Sequence, residues 1–390
     1  MSSIAIAGRT GEWLESPGFG VYVHIPFCRH RCHYCDFNTY AGMDDQHEAY
    51  VNALVTDIRR WAGPAPVATS VFFGGGTPTL LPVGSLSRIL EAVRDRFGFA
   101  PDPEIMIEAN PEGVDARVFE GLLQAGFNRV SFGVQSLVPS VLAGLGRTHS
   151  PETARHAITA ARNAGFEDVN ADLIYGCPWE SPSEWLLSLK GILEIDPDHV
   201  SAYALTIEEG TPLATLVTTG RVPDVDPDLQ AERHAAAEAL LGAAGFDRYE
   251  ISNWARPGRV CRHNVLYWSA GDYAGFGAGA HGHIAGRRWW SRRLPREFIG
   301  AVAAGGSTEA GAEVLGTDAR CGEAFMLGLR LASGLDLDAV GRRFGSEALA
   351  ARMPVVEEFS ARGLLERAGP RVRIAPSATM VTGDICARLL

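Results

Sequence analysis

The sequence lacks several features that would assign it to a membrane, secreted or nucleic-acid-binding class. Its 390 residues contain no uninterrupted apolar run of the roughly 18 residues that a membrane span needs. The first 20 residues have no basic segment followed by an apolar one, so we do not expect a secretory signal. Positive charge is scarce, because 35 Lys and Arg face 46 Asp and Glu and leave a net charge of −11. This balance argues against a nucleic-acid partner, since general nucleic-acid binders carry a basic surface.

Cysteines are few and unevenly distributed. There are seven, and three of them, Cys28, Cys32 and Cys35, lie close together in one short segment. A disulfide framework would be spread more evenly and would suit a shorter secreted chain. The group of three therefore predicts a metal site in a reducing compartment, and we expect a cytoplasmic protein.

Short apolar runs alternate with helix-like segments from residue 21 to about residue 245. Six runs are rich in Val, Ile and Phe and are bounded by Gly or Pro, which predicts buried strands. These runs are residues 21–27, 70–74, 104–109, 129–134, 168–174 and 199–205. Such alternation predicts parallel strands joined by right-handed crossovers. Six units are too few for a closed eight-stranded barrel, so the predicted fold is α/β with a partial, open (β/α)6 barrel and chemistry at the carboxyl ends of its strands.

The segments between the strands carry helix start and stop signals. Asp115 and Ser183 are predicted N-caps, and Gly126 and Gly165 are predicted C-caps. We accordingly expect helices over residues 115–125, 151–164 and 183–194.

The pattern changes after about residue 246, and the sequence predicts four parts. They are an N-terminal segment (1–20), the barrel (21–245), a barrel-extending segment with a linker (246–316) and a C-terminal domain (317–390). Four glycines in residues 275–282 (GFGAGAHG) predict a loop or tight turn rather than the interior of a strand. Residues 301–312, rich in Gly and Ala, are the candidate linker. Helical periodicity after residue 317, followed by a short hairpin, predicts a mainly helical, winged-helix-like domain.

The spacing Cys28-x3-Cys32-x2-Cys35 directly follows the first predicted strand, so three thiolates can serve one soft metal centre. A structural zinc site needs four ligands, usually from two separated Cys or His pairs, and the sequence has no second CxxC or HxxxH. A 4Fe-4S cluster is normally held by four thiolates, so three would leave one iron open to a small chelating molecule such as an amino acid. Three unconnected buried cysteines are the remaining alternative.

The CxxxCxxC spacing after a strand, with Tyr34 between the last two cysteines, resembles the radical S-adenosylmethionine (SAM) superfamily. The wider string YVHIPFCRHRCHYCDFN, residues 22–38, more closely resembles the family of anaerobic coproporphyrinogen dehydrogenase and the related haem chaperone HemW. The resemblance extends over essentially the whole chain. It implies one 4Fe-4S cluster held by Cys28, Cys32 and Cys35, with SAM bound at the fourth iron.

The resemblance also assigns a SAM pocket. Residues 73–78 (FGGGTP) follow the second strand, and their glycines would let the backbone approach the SAM amino group closely. Carboxylates can pair with ribose hydroxyls or an ammonium, and an arginine can pair with a carboxylate. The residues that the resemblance places at the cofactor are Tyr22, Tyr34, Gly75, Gly76, Thr77, Glu108, Gln135, Arg147, Asp172 and Ala204.

Two features separate the haem carrier from the dehydrogenase within this family. The dehydrogenase pattern has a further cysteine, CxxxCxxCxC, at the position where this sequence has Phe37. The dehydrogenase also has a longer N-terminal extension before its first strand. The chaperone pattern HNxxYW is present as His263, Asn264, Tyr267 and Trp268.

These four residues are predicted to contact haem. An imidazole is a good axial ligand for haem iron, and the two aromatic rings offer flat apolar faces to a porphyrin. Cys261 and His281 are alternative iron ligands. A hydrogen-bonded histidine within an aromatic core is the competing interpretation. The arginines around Trp289 and Trp290 are expected to be a solvated edge, with a dock for haem propionates as the alternative.

The sequence therefore predicts a cytoplasmic haem chaperone that binds a 4Fe-4S cluster, SAM and haem and delivers haem to haem-requiring apo-proteins, among which respiratory proteins are candidates. We do not expect coproporphyrinogen dehydrogenase activity, and the sequence leaves SAM cleavage open. The alternative is an oxygen-independent coproporphyrinogen III dehydrogenase, and a third class is a zinc-stabilised binding module. Either a monomer or a homodimer is compatible with the sequence.

Overall fold

The computed structural model describes residues 18–390, so most of the predicted N-terminal segment, residues 1–20, lies outside the described residues. The strands of the first half are β1 Phe19–Ile25, β2 Phe27–Cys28, β3 Tyr40–Ala41, β4 Ala68–Gly75, β5 Phe99–Ala109, β6 Arg129–Gln135, β7 Asp168–Tyr175 and β8 His199–Ala204. The helices there are α1 His47–Arg60, α2 Val83–Phe97, α3 Ala116–Ala125, α4 Pro139–Leu145, α5 Pro151–Ala164, α6 Pro182–Ile195, α7 Pro212–Thr218 and α8 Pro227–Ala243.

The second half continues the same alternation less regularly. Its strands are β9 Asp247–Arg248, β10 Asn253–Ala255, β11 Asp272–Phe276, β12 His281–Ile284, β13 Arg287–Ser291, β14 Glu309–Val314, β15 Leu335–Asp336, β16 Leu365–Ala368 and β17 Arg371–Ile374. Its helices are α9 Arg262–Trp268, α10 Pro295–Ala303, α11 Thr317–Gly328, α12 Leu337–Phe344, α13 Ser346–Ala350, α14 Met353–Ala361 and α15 Thr382–Ala387.

The six predicted strands form one parallel array, in the order β1-β4-β5-β6-β7-β8. Helices lie between consecutive strands in the chain, as right-handed crossovers require. On one side β11 pairs with β1 in parallel, and β12, β13 and β14 follow it. On the other side β10 pairs with β8 in antiparallel fashion and is followed by β9. Within residues 18–390 the sheet therefore contains twelve strands in a linear order with β14 and β9 at its ends, as a partial barrel would have.

The helices pack on the sheet through one apolar face each. In α2 the buried side chains include Leu86, Ile89, Leu90 and Val93, spaced at three and four residues as an amphipathic helix requires. They belong to one continuous core that also contains the apolar residues of β1, β4 and β7. Burying them places the helices on the outer face of the sheet and leaves its inner face for the site.

Three of the four predicted helix caps are confirmed. The Asp115 carboxylate accepts a hydrogen bond from the backbone of Val118, and Gly126 and Gly165 end α3 and α5 with left-handed φ angles of 107° and 115°. The prediction of Ser183 was wrong. The N-cap of α6 is Ser181, which forms a reciprocal capping box with Glu184.

The glycine-rich stretch 275–282 is only partly a turn. Gly275 lies in β11 and Gly282 in β12, so the prediction of a loop throughout was wrong at both ends. A Cβ on Gly275 would lie 1.8 Å from the carbonyl oxygen of His281. The glycine is therefore required because the two strands approach each other closely, rather than because the chain turns there.

The C-terminal part has its own apolar core, formed by α11–α15 and a small antiparallel sheet in the order β15-β17-β16. Phe325, Val356 and Phe359 are among its buried residues. This confirms a mainly helical domain that carries a short hairpin, β16–β17. Within residues 18–390, none of the helices combines the length and the apolar character that crossing a membrane requires.

Candidate functional site

A cavity of about 500 Å³ lies against the inner face of strands β4–β8. Successive side chains of a strand point to opposite faces, so every second residue of these strands faces the cavity. Ser131, Gly133 and Gln135 line it from β6, and Asn170 and Asp172 line it from β7. The cysteine loop and the HNxxYW segment complete the walls. Residues widely separated in sequence therefore meet in one polar chamber.

Cys28, Cys32 and Cys35 are free thiols that line this cavity. Cys28 ends β2, and the other two lie in the loop that leads to β3. His33 anchors this loop to α4, because its backbone N–H donates to the carbonyl oxygen of Leu145 at 3.1 Å. The loop is thus held in place by backbone contacts as well as by any metal that it binds.

The protonation state and the arrangement of the three thiols indicate which kind of metal group they can bind. Burial raises the pKa of the Cys28 thiol to about 11 and also raises the pKa of Cys35. Metal coordination removes such protons, because a bound cation favours the thiolate. Across residues 18–390, no three Cys, His, Asp or Glu side chains converge on a site for a single ion. A four-iron cluster takes one thiolate per iron, so its ligands need not meet at one point. The donor set fits such a cluster.

Asn110 links the surroundings of two cysteines and was not predicted from the sequence. Its Nδ2 donates to Thr77 Oγ1 at 2.9 Å, and its Oδ1 accepts from Arg147 at 2.7 Å. The Thr77 hydroxyl lies 3.9 Å from Cys28 Sγ, and the Arg147 guanidinium lies 3.5 Å from Cys32 Sγ. One amide therefore positions the two polar groups that contact these sulfur atoms.

The residues after β4 leave room for a ligand only because they lack side chains. Gly75 has a left-handed φ of 114° and donates its backbone N–H to Glu108 Oε2 at 2.9 Å. A Cβ on Gly76 would lie 2.5 Å from the carbonyl oxygen of Phe27 and 3.0 Å from Cys28 Sγ. The glycines thus let the end of β4 lie directly against the cysteine loop.

Glu108 and Asp172 bring two buried carboxyl groups to the cavity. Burial, together with the nearby Asp172 charge, raises the pKa of Glu108 to about 7. Burial also raises the pKa of Asp172, although Ser131 and Asn170 each donate to it at 2.7 Å. Two carboxyl groups in this setting favour a ligand that carries positive charge or hydroxyl donors.

Gln135 has an unusual backbone conformation at the end of β6. Its φ is 65°, in the left-handed region that side chains other than glycine rarely adopt, and the pairing with β7 is irregular there. Arg147 donates to the Gly133 carbonyl oxygen at 2.7 Å, directly beside it. Strained residues of this kind occur where the surrounding structure holds a side chain for function.

Of the other residues assigned to the SAM pocket, two line the cavity and one, Tyr22, does not. Tyr34 and Ala204 line the cavity. Tyr22 is not among the lining residues; its hydroxyl lies 2.8 Å from His24 Nδ1 and its ring packs edge-on against Phe72. Tyr22 therefore supports the wall from behind.

The HNxxYW segment forms the inner end of the chamber, on α9. His263 is 1% exposed, and its two ring nitrogens lie 2.8 Å from Ser70 Oγ and 2.9 Å from the Tyr267 hydroxyl. Burial lowers the pKa of His263 to about 4, so the imidazole is neutral at pH 7. Its backbone N–H donates to Glu104 at 2.8 Å. Coordination of an iron by either nitrogen requires one of the two side-chain contacts to open.

Asn264 connects the segment to the carboxylate of Asp172. Its Nδ2 donates to the Tyr249 hydroxyl at 3.0 Å, and that hydroxyl lies 2.9 Å from His199 Nε2. His199 Nδ1 lies 2.7 Å from Asn170 Oδ1, and Asn170 donates to Asp172. A continuous buried hydrogen-bond chain thus runs across the inner face of the sheet.

Trp268 lies outside this chamber. The Arg330 guanidinium stacks over its ring at 5.4 Å, and its indole Nε1 is buried without a hydrogen-bond partner. The alternative ligand Cys261 is buried with its thiol 3.5 Å from Glu104 Oε1, whereas His281 is exposed and stacks on Trp290.

Comparisons with known proteins agree with these observations. Residues 22–192 match the Radical SAM superfamily, and residues 318–381 match the HemN C-terminal domain. The heme chaperone HemW of Mycobacterium tuberculosis (strain H37Rv) is 42% identical over 377 residues, which cover 95% of each chain. This chain belongs to the HemW family. The heme chaperone HemW of Bacillus subtilis is 31% identical over 367 residues, covering 93% of this chain and 97% of the relative.

The fold of this HemW family member also matches a solved structure. Coproporphyrinogen III oxidase (HemN) from Escherichia coli superposes with a TM-score of 0.81 at 23% identity, covering 98% of this chain and 92% of that one. At this identity the likeness shows the fold alone. It confirms the α/β radical SAM architecture with a C-terminal helical domain.

Most of the residues predicted for this HemW family member share one chamber. All three cysteines line it, as do the predicted residues other than Tyr22 and Trp268. Sequence reasoning missed the polar residues of the inner face, which are Asn110, Ser131, Asn170, His199, Ser201, Tyr249 and Asn253. For Ser131, Asn170, His199 and Ser201 the signal was the alternation of polar and apolar residues along β6–β8. The other three lie outside these strands and had no such signal.

Proposed function

We propose that this protein is a haem chaperone that holds a 4Fe-4S cluster and SAM in the chamber and delivers haem to apo-proteins. One observation carries the proposal: three free thiols and three residues of the HNxxYW segment, His263, Asn264 and Tyr267, line the same cavity. The name HemW, borne by relatives at 42% and 31% identity over most of the chain, supports haem as the cargo. We place the protein in the cytoplasm on its cysteine usage.

In this proposal Cys28, Cys32 and Cys35 hold the cluster. When bound, the cluster supplies one electron and one iron that lacks a protein ligand. The Arg147 guanidinium, 3.5 Å from Cys32 Sγ, offsets thiolate charge near the chamber. Asn110 keeps that guanidinium in place through its 2.7 Å hydrogen bond.

For SAM, the chain offers groups of matching chemistry. The backbone at Gly75, Gly76 and Thr77 approaches without side-chain obstruction and would hold the amino group. Glu108 and Asp172 would accept hydrogen bonds from ribose hydroxyls or from the ammonium. The remaining residues proposed for this pocket are Tyr34, Gln135, Arg147 and Ala204, and Tyr22 would support its wall through Phe72.

For haem, we propose that His263 is the axial ligand and that Asn264 and Tyr267 contact the porphyrin, whereas Trp268, expected from the sequence to do so as well, lies outside the chamber. The imidazole is already neutral, because burial lowers its pKa to about 4, and a neutral ring nitrogen is the form that binds iron. The Tyr267 hydroxyl is hydrogen-bonded to His263 Nε2, and this contact has to open before that nitrogen can bind the haem iron. Tyr267→Phe should therefore leave haem affinity unchanged or increase it, whereas His263→Ala should decrease it.

The cluster part of the proposal is tested by anaerobic reconstitution of the full chain. We expect about four irons and four sulfides per chain, as one cluster requires. Cys28→Ala should lose the cluster, whereas Cys321→Ala should retain it, since Cys321 lies in the core of the C-terminal domain. Stoichiometric zinc without sulfide would contradict the proposal and favour a zinc-stabilised binding module.

The haem part is tested by following the Soret band during haem titration. The matched control for His263→Ala is His156→Ala, because His156 is exposed on α5. Equal haem affinity in wild type and His263→Ala would remove His263 as the ligand. Delivery is tested by haem transfer to an apo-cytochrome.

A turnover assay separates the chaperone from the dehydrogenase. The reconstituted protein is incubated with coproporphyrinogen III, SAM and a reductant. Phe37, 63% exposed at the rim of the chamber, occupies the position of the dehydrogenase's additional cysteine. We expect no catalytic formation of protoporphyrinogen, and its formation at many turnovers would contradict the proposal.

A further inference from the structure

A second cavity, of about 250 Å³, lies where the barrel extension meets the C-terminal domain. Its walls come from α9 and β11–β13 on one side and from α11 and α12 on the other. Tyr267 lines both this cavity and the main chamber. The HNxxYW segment therefore separates two cavities, and the site described above accounts for only one of them.

Three arginines line this second cavity, and in the part of the chain that the structure describes one of them, Arg288, is paired with acidic groups. Arg288 donates to both carboxylate oxygens of Glu323 at 2.7 Å and to Glu313 at 2.9 Å. Within the described part of the chain, neither Arg320 nor Arg343 forms an ion pair with a carboxylate. Two cations thus face the cavity without a matched anion.

Both guanidiniums contact the same aromatic ring. Arg320 and Arg343 lie over the ring of Phe344, with their guanidinium carbons 5.7 and 5.0 Å from its centre, and both line the cavity. Burial lowers the pKa of Arg343, and the charge of Arg320 adds to this effect while Asp272 opposes it. Like charges held together in a partly buried cavity favour an anionic ligand between them.

Neighbouring groups fix one of the two guanidiniums and place one carboxylate, that of Asp272, near it. Arg343 donates to the carbonyl oxygens of Ser269 and Ala270, so it is fixed in place. His283 lies 3.4 Å from Asp272, and burial lowers the pKa of this imidazole. Within residues 18–390, Arg320 forms no hydrogen bond to a backbone carbonyl, and its guanidinium lies over the Phe344 ring at 5.7 Å.

We propose that this cavity binds an oxyanion, a carboxylate or a phosphate group, between Arg320 and Arg343. A volume of about 250 Å³ holds such a group but not a whole porphyrin. We assign it first to a haem propionate, an assignment that rests on the proposed function. The Tyr267 hydroxyl contacts His263, so a propionate here would lie one side chain away from the proposed iron ligand.

The test compares haem with haem dimethyl ester, whose propionates carry no charge, in Soret titrations of the full chain. Wild type should bind haem about tenfold more tightly than the ester, as expected for one hydrogen bond between charged groups. Arg320→Met should lose this preference, and Arg320→Lys should keep most of it. Arg117→Met, which removes an exposed charge on α3, should behave as wild type. Arg320→Gln provides a second charge-removing variant if the methionine variant does not fold.

A second arm tests the oxyanion site without haem. Inorganic phosphate should raise the thermal midpoint of wild type and leave that of Arg320→Met unchanged. Equal affinity for haem and its ester, together with this phosphate effect, would support the oxyanion site and overturn the propionate as its ligand. Equal affinities without a phosphate effect would overturn the site. If wild type binds no haem, the proposed function fails, and the phosphate arm alone then decides the oxyanion site.

Discussion

Replacing Gly76 with alanine should displace the cysteine loop from the end of β4. The added Cβ would lie 2.5 Å from the carbonyl oxygen of Phe27 and 3.0 Å from Cys28 Sγ. A backbone carbonyl cannot rotate away as a side chain can, so the two segments have to separate. Separation lengthens two backbone hydrogen bonds, both 2.8 Å, from Gly76 to Ile25 and from Thr77 to Phe27.

The expected cost follows from these contacts. A backbone hydrogen bond contributes about 1 kcal/mol net, and overpacking costs about 1–3 kcal/mol. The free energy of unfolding should therefore fall by roughly 3–5 kcal/mol, a large share of the ~5–15 kcal/mol typical of a protein. Since Cys28 moves with the loop, the iron bound after anaerobic reconstitution should fall as well.

Urea denaturation followed by circular dichroism, together with iron analysis, measures both effects. Gly84→Ala is the matched control, because a Cβ on Gly84, in α2, has no neighbour within 4 Å. That variant should be neutral or more stable by up to about 1 kcal/mol. Equal urea midpoints and equal iron contents for the two variants would refute the reasoning.

Two further predictions concern the polar wall of the chamber. The pKa of Glu108 is raised from 4.5 to about 7, so between these pH values only the folded protein keeps this proton, and the stability it contributes falls as pH rises through that range. Glu108→Gln should reduce the fall in the free energy of unfolding between these pH values, as measured by urea denaturation of the cofactor-free protein. An unchanged pH dependence in this variant would contradict the raised pKa of Glu108. Gln135→Gly should raise the free energy of unfolding by up to about 1 kcal/mol, because it relieves the φ of 65°, while weakening SAM binding in equilibrium dialysis. Unchanged SAM affinity would show that the Gln135 side chain has no part in the pocket.

The parallel strands could be predicted because burial on both faces gives continuous apolar runs. The ends of strands and helices were harder to predict than their existence. β5 is 11 residues long, but only its second half was predicted, since Pro101 and Pro103 interrupt the first half. The N-cap of α6 was misplaced by two residues, although Pro182 and Glu184 already favoured Ser181 as the cap.

The polar interior of the barrel could not be predicted in the same way. Ser131, Asn170 and His199 alternate with apolar residues within runs that predict buried strands, and this local pattern does not show which distant residues complete the chamber. Their partners lie far away in sequence: His199 contacts Tyr249, 50 residues later. Such contacts follow from the strand order, which no single segment encodes.

The position of the HNxxYW segment likewise depends on contacts between residues that are far apart in the sequence. The motif was evident from its resemblance to the family, but its position depends on Glu104, which is 159 residues from His263 and accepts a hydrogen bond from its backbone. The resemblance indicated which residues matter. Only the fold shows that both ring nitrogens of His263 are occupied and that Tyr267 separates two cavities.

The central claim is that three thiolates hold a four-iron cluster with one iron open to SAM. Electron paramagnetic resonance of the anaerobically reconstituted, reduced protein tests it most directly. We expect the signal of a reduced 4Fe-4S cluster that changes on addition of SAM, with no such signal in Cys28→Ala. A cluster signal that SAM leaves unchanged, or the absence of a cluster in the wild-type protein, would contradict the claim.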